Sequence, residues 1–493
     1  MNKTMFKRPS KKQLLIRRII VSTIMVLAVL VIVAGTILFI LGYRLDSDKG
    51  RLEQGALVQF ESKPTAATVS IDGKVLSART STKQSVLAGV HDFMMSKDGY
   101  NTWSKTLSVK AGTLNWLDYI RLVPKELKSE TVASYTSLYG EKASPDLETI
   151  ILQEKADTPT FQLVDIRAQD VKTTAIALPA TVYSDAAVAG VVHTFTLDRW
   201  DTGGRYLAVK HTYGDKLEWI ILDTQNVAGS SNVTRLLGID VTEVRFAGTN
   251  GRILYGLTND GTIRKLDLSA TTISRALVTN VKSFDLFETN VISYVGIDPA
   301  NTAKQVVGIY REGDDVSHVL RSIDSLTAPL SIAATRYFSD YYVAIAEGPK
   351  VSILTAENLT VNNAGASSLQ NYGEFTASAD VTTLNFSDGG FRLVAQSGLQ
   401  FVSYEIEYQR QTNAAVQTSE TGSRPLQWLD GAYLWAVYDG QLSMREFDGT
   451  NTHVLTGAEV GFDASLSQNG RYIYSIGKTG ETYQLQRVKM LLD

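Results

Sequence analysis

A turn followed by a short apolar run recurs eight times along this chain of 493 residues. The clearest copies are Asp201 to Arg205 running into Tyr206-Leu207-Ala208-Val209, Gly251-Arg252 into Ile253-Leu254-Tyr255, and Ser467 to Arg471 into Tyr472-Ile473-Tyr474. Weaker copies are Ser144-Pro145-Asp146 before Thr149 to Leu152, Asn290 to Tyr294, Asp340 to Ile345, Gly390 to Val394, and Gly431 to Ala436. A second turn and a second strand follow the clear copies, as in Asp260-Gly261 before Ile263 to Asp267. The copies lie roughly 35–60 residues apart, and a period of about 40–45 with several strands per copy is the signature of a β-propeller. One blade cannot bury both of its faces, so each must be covered by its neighbours, and closing the ring removes the open ends. The pattern predicts a propeller over 132–493, with eight blades preferred and seven as the alternative. Apolar spacing of helical period is sparse there, and an all-β chain is expected beyond residue 43.

The turn before the inner apolar strand resembles the Ser-Pro-Asp-Gly-Arg turn of the TolB/WD40-like propeller repeats, most closely at Ser467 to Arg471 and Ser144 to Asp146. No Trp-Asp dipeptide ends the blades, so a strict WD40 assignment is not supported.

Ile19 to Tyr43 is a run of 25 residues without a charge. As a helix it is long enough to cross a hydrocarbon core of about 30 Å. Lys3, Lys7, Arg8, Lys11, Lys12, Arg17 and Arg18 precede it with no acid among them, whereas Arg44 to Glu53 mixes signs. The positive-inside rule then places residues 1–18 as a cytoplasmic basic tail, 19–43 as a transmembrane helix contacting the lipid bilayer, and the remainder outside the cytoplasm. A cleaved signal peptide is the competing reading, but the apolar run continues through Ile37 to Leu41, past the small residues Ala34 and Gly35. Taking those seven positive charges from the net −3 leaves −10 for the rest. An acidic ectodomain argues against nucleic acid as a partner, because phosphate contacts need clustered Lys and Arg.

Between the two lies a short β module, expected over 55–123. Val58 to Ser62 alternates and is broken at Lys63-Pro64; Ala67 to Ile71 alternates again into Asp72-Gly73, a hairpin signal. Ser62-Lys63-Pro64-Thr65-Ala66-Ala67, Ile71-Asp72-Gly73-Lys74, Leu87-Ala88-Gly89-Val90-His91 and Lys97-Asp98-Gly99-Tyr100 follow in order. This succession resembles the PEGA domain of prokaryotic envelope proteins. Two departures stand out: Pro64-Thr65-Ala66-Ala67 lacks the turn glycine of Pro-Glu-Gly-Ala, and Thr80-Ser81 stands where the family has Thr-Pro. The resemblance implies a small β-sandwich that acts as a non-catalytic adaptor or spacer. Tyr100 and Trp103 are expected to cap its core, and His91 to fix a turn. Pro124 to Thr131 is polar and reads as a linker.

Chemistry is harder to find. There is no Cys, which removes disulfides, thiol nucleophiles, Cys-type zinc sites and a lipoprotein anchor. No phosphate loop, His-Glu-x-x-His, nucleophile elbow or calcium loop occurs. The histidines His91, His193, His211, His318 and His453 are scattered without metal-ligand spacing, although His193 and His211 both fall near blade strands. Asp314-Asp315 sits in a polar turn, and Asp198, Asp201, Asp223 and Asp267 recur at blade turns, where Asp bonds to nearby backbone N–H groups. Trp200, Trp219, Trp428 and Trp435 are expected to pack within or between blades. Neither catalytic residues nor a cofactor or metal site is assigned. The expected function is a membrane-anchored binding or scaffold protein of a prokaryotic cell envelope, its propeller presenting a face to an envelope protein or a glycan. The alternatives are an envelope hydrolase of glycan or peptide, requiring a carboxylate pair or Ser-His-Asp at one mouth of the ring, and a sensor ectodomain signalling through a membrane partner.

Overall fold

The computed structural model describes residues 11–40, 43–46, 51–184, 190–359 and 368–492. The chain divides into two compact units, Met1–Lys125 and Glu126–Asp493.

The first unit opens with a helix, Lys11–Ile40, whose Leu15–Leu38 stretch has a mean hydropathy of 2.8 and is not buried by protein. Its length and composition suffice to cross a membrane. The helix ends before Tyr43, which the uncharged run had included; Tyr43–Asp46 is instead a strand paired with Arg51–Gln54. The strand that enters the following module is continuous over Arg51–Lys63. That strand pairs antiparallel with Thr82–Leu87 and parallel with Leu114–Arg121. A second sheet orders Lys74–Arg79, Thr68–Ile71, Gly89–Ser96 and Trp103–Val109. Alternate residues of the two sheets meet in one core: Val58, Phe60 and Leu117 from the first face Val69, Phe93, Met95 and Trp103 from the second. Tyr100 and Trp103 are buried in that core. His91 does fix a turn, with Nδ1 2.6 Å from Asp72 and Nε2 2.8 Å from the Leu87 carbonyl.

The second unit is a succession of eight four-stranded antiparallel sheets. The first comprises Gly140–Ala143, Thr149–Gln153, Thr160–Asp165 and Lys172–Ala177, and the next six follow in chain order. Each of the eight turns read from the sequence leads into the second strand of one sheet, from Thr149–Gln153 to Tyr472–Thr479. The eighth sheet takes three strands from the end of the chain, Ser465–Leu466, Tyr472–Thr479 and Thr482–Lys489. Its fourth is Ser129–Tyr135, from the start of the unit. This corrects the expected linker: Ser129, Glu130 and Thr131 pair with Val488, Arg487 and Gln486. Polar composition concealed them, because they form an outer edge strand with one face in water.

Packing follows the same circle. Ile151 and Phe161 of the first sheet meet Phe195, Leu207 and Val209 of the second. Trp219 and Ile221 of the second meet Val244 and Leu254 of the third. Ile150, Leu152 and Val164 of the first also meet Tyr472, Tyr474 and Leu485 of the eighth. The first sheet is thus covered by both the second and the last, and the eight blades close into a propeller. First strands of neighbouring blades lie beside one another, as Gly140–Ala143 does beside His193–Trp200, so they line the axis.

Candidate functional site

Each blade joins its first and second strands by a turn at one end of the ring. In several copies an Asp satisfies the turn. The Asp201 carboxylate accepts from the N–H groups of Gly203, Arg205 and Tyr206, and Asp430 accepts from those of Ala432 and Tyr433; Asp267, at the turn from a third strand to a fourth, accepts from Ser269 and Ala270. Asp223 accepts from the Gln225 and Asn226 N–H groups and holds Arg205 in a two-pronged ion pair. These acids are turn residues, as their spacing suggested.

Blade five departs from this chemistry. Its two strands, Leu330–Tyr337 and Asp340–Glu347, are joined by Phe338 and Ser339. Phe338 has a φ of 53° and 85% of its surface exposed. A bulky residue rarely occupies the left-handed region, and an exposed aromatic ring held there is an outlier that points to function. Around it lies a surface rich in aromatic and arginine side chains. The Tyr337 ring is 4.5 Å from Phe338 and 5.8 Å from Phe391, and its hydroxyl donates to Glu407 at 2.7 Å. Burial, and then the Glu407 carboxylate, push the Tyr337 phenol up from its ordinary value. On the other side the Arg336 guanidinium lies 5.3 Å from the Tyr341 ring and 3.5 Å from Glu288, and Tyr341 meets Phe287 edge-on. Beneath Phe391, Arg392 is fully buried between two rings, 3.8 Å from Phe391 and 4.0 Å from Phe447. The patch spans blades four to six. Its composition is that of an interface centre, where aromatic residues and Arg concentrate.

A second polar constellation lies in blade two. His193 and His211, scattered in sequence, face each other with Nδ1 of the first 2.9 Å from Nε2 of the second. His211 is fully buried, stacks on Phe195 at 4.2 Å, and has Nδ1 2.8 Å from Glu218. An ionised carboxylate only accepts, so Nδ1 of His211 carries a proton. Ser184 donates to Glu218 through both its N–H and its hydroxyl. Burial alone would raise the Glu218 pKa; these donors outweigh it and pull the value down to about 2. Tyr183, on the segment entering blade two, packs edge-on against Phe195 and His211.

Near the axis, the first strands of blades two, three and four each carry a bulge, at Leu197/Arg199, Val241/Glu243 and Val281/Ser283. Bulges re-aim side chains. Here Arg199 and Arg245 both reach Asp285, at 3.6 and 3.2 Å. Asp198, at the first bulge, pairs with Arg199.

The remaining residues singled out from sequence fall as follows. Asp314 is not solvated: its side chain is 14% exposed and lies against Arg311 and the buried His318. Asp315 is exposed. His453 is half-buried, and burial lowers its pKa. Trp219 and Trp435 are buried, and Trp200 and Trp428 pack against inter-blade clusters. Among the described residues no group of three or more His, Asp or Glu side chains is placed to hold a metal ion. Sequence reasoning missed Phe338. Its signal was present in Tyr337-Phe338-Ser339-Asp340, where an aromatic residue stands in the turn itself.

Sheet order and ring closure define the larger unit as a β-propeller. Residues 57–125 match the family described as the PEGA domain, so the chain couples a PEGA domain to that propeller. Several solved structures show a distant likeness to the chain. The Myceliophteria thermophila Cps50 (Swd1) β-propeller domain is 10% identical, with 73% of this chain and 99% of that one covered and a TM-score of 0.39. Kluyveromyces lactis Hsv2 is 11% identical, covering 72% and 98%, with a TM-score of 0.38. An oligogalacturonate lyase in complex with manganese is 10% identical, covering 62% and 95%, with a TM-score of 0.38. Likenesses this distant say nothing of activity. No curated protein matches the chain.

Proposed function

We propose that this protein is a membrane-anchored binding and scaffold protein of a prokaryotic envelope. The apolar helix holds it in the bilayer with the basic tail in the cytoplasm. The PEGA domain and the propeller lie outside the cytoplasm, and the patch on blades four to six engages a protein partner. The observation that carries this reading is Phe338, an 85% exposed aromatic at a φ of 53°. Exposing a large ring in a disfavoured backbone conformation costs stability, and insertion into a partner's apolar pocket would offset that cost. The flanking Tyr337, Arg336 and Tyr341 supply the polar rim. The test is retention of envelope proteins by the purified ectodomain, Arg44 to Asp493, against Phe338→Ser, a substitution at an exposed position that leaves the fold intact. A partner retained by the parent and lost by the variant supports the reading; an identical retained set from both would refute this face as the binding site.

A further inference from the structure

Blades six and seven bury a cation between them that meets no acid among the described residues. Arg445 lies on the third strand of blade seven, Gln441–Glu446, and is 3% exposed. Its guanidinium donates from Nη2 to the Ser443 hydroxyl at 2.8 Å, and Ser443 passes its own proton to the Ala436 carbonyl at 3.3 Å. Nε of Arg445 is buried without an acceptor. Burial lowers the pKa of the group, and no carboxylate acts against that effect. Arg245 and Arg392, also enclosed by the propeller, differ: the first meets Glu243 and Asp285, the second Glu405.

Two further polar atoms face the same seam. Leu434 and Ala436, the cross-strand neighbours of Arg445 and Ser443, pack with Val394 and Phe401 of blade six. Paired residues share one side of a sheet, so Arg445 points toward blade six. Trp428 pairs with Leu434 in turn and packs against the same cluster, so Trp428, Leu434 and Arg445 form one row across blade seven. At a strand spacing of about 4.8 Å the outer two Cα atoms of that row are about 10 Å apart, a gap that an indole and an arginine side chain close from its two ends. On the facing sheet, Ser403 pairs with Val394 and is 1% exposed. Neither its hydroxyl nor the buried Nε1 of Trp428 has a hydrogen-bond partner. Arg445 Nε, Trp428 Nε1 and Ser403 Oγ can all donate.

The charge decides what belongs there. A guanidinium stays protonated in a protein, and a buried charge left uncompensated is strongly destabilising. Water satisfies N–H groups but brings no counter-charge. We propose that a small monovalent anion of the size of chloride binds between blades six and seven, held by Arg445 with help from Trp428 Nε1 and the Ser403 hydroxyl. The ion is small because Val394, Phe401 and Leu434 around it are almost fully buried. It ties the two blades together and is released when the ring unfolds.

The test follows the full chain in detergent at constant ionic strength, with sodium chloride exchanged stepwise for sodium gluconate, whose anion is too large for a packed seam. Two quantities are read: the thermal unfolding midpoint, and the chloride-35 NMR line width, which broadens when the ion exchanges with a protein site. The expected result is a midpoint that rises with chloride, as binding to the folded state requires, together with excess line width. Both are lost in Arg445→Met, which fills similar space without the charge. Trp428→Phe and Ser403→Ala each remove one donor, should weaken chloride about tenfold, and carry the test if Arg445→Met does not fold. Equal chloride dependence in parent and Arg445→Met overturns the site and assigns the effect to the surface. A parent indifferent to chloride overturns it as well and gives the donors to ordered water. Unchanged affinity in both Trp428→Phe and Ser403→Ala likewise removes the ion from this seam.

Discussion

Replacing Glu218 by Gln tests whether one buried carboxylate holds the entry into blade two. Its side chain is 4% exposed and accepts from His211 at 2.8 Å, Ser184 N–H at 2.6 Å and the Ser184 hydroxyl at 2.8 Å. The ordinary value of 4.5 falls to about 2 in the folded protein. The folded value lies below the unfolded one, so the charge stabilises the fold fully above about pH 4.5, and the contribution is lost as pH falls toward 2. At about 1.36 kcal/mol per pKa unit, the contribution is about 3 kcal/mol at neutral pH, and the same linkage leaves less than half of it at pH 3. The amide keeps the shape but turns an NH2 toward donors, which adds a cost independent of pH. The diagnostic quantity is therefore the difference between the two conditions, about 2 kcal/mol. With an unfolding entropy of roughly 2.1 cal/mol/K per residue over residues 126–493, a loss of about 3 kcal/mol lowers Tm by about 4 °C. Urea unfolding of parent and Glu218→Gln at pH 7 and pH 3, followed by Trp fluorescence, measures both. A deficit of the same size at both pH values, or one below about 1 kcal/mol at pH 7, would show that the ionised carboxylate does not stabilise this seam.

Two further substitutions probe the packing in each unit. Ala66 has a φ of 61° where the PEGA pattern carries glycine, and its N–H bonds the Thr80 carbonyl. Ala66→Gly should relieve the left-handed penalty at a smaller entropic cost and stabilise the module by about 0.5–1 kcal/mol, read as a raised unfolding midpoint. An unchanged or lower midpoint would contradict that backbone reading. Arg392→Lys keeps the charge but loses the planar stack between Phe391 and Phe447 and the bond to the Gly431 carbonyl. It should cost about 3 kcal/mol in chemical unfolding of the propeller, and a cost below about 1 kcal/mol would mean that the stack is not what stabilises the buried guanidinium.

The outline of the fold was legible because it depends on local periodicity. Each propeller blade repeats one turn and one apolar strand, and the copies could be recognised, with eight preferred over seven, without knowing what they touch. The PEGA domain was legible for a related reason: Asp72-Gly73, Gly89 and Gly99 mark positions where the backbone must turn, and all three glycines have positive φ. The helix was legible from length and the absence of charge, although its end was not. Tyr43 continues the apolar run in composition but pairs with Gln54 in space.

The candidate sites were not legible to the same degree. The pairing of His193 with His211 depends on strand register, which sets Phe195 opposite His211 and His193 opposite Tyr213. Glu218 joins them because the next strand places it opposite His211. Nor does composition mark Ser129 to Thr131 as a strand, because their partners lie more than three hundred residues away and form only when the ring closes. The sequence by itself determined the repeating units and the apolar helix, since each is written within a window of a few dozen residues, and left their number between seven and eight. The tertiary structure alone decided which strand closes the ring and which acids meet which bases, because those depend on contacts between segments that sequence order keeps apart.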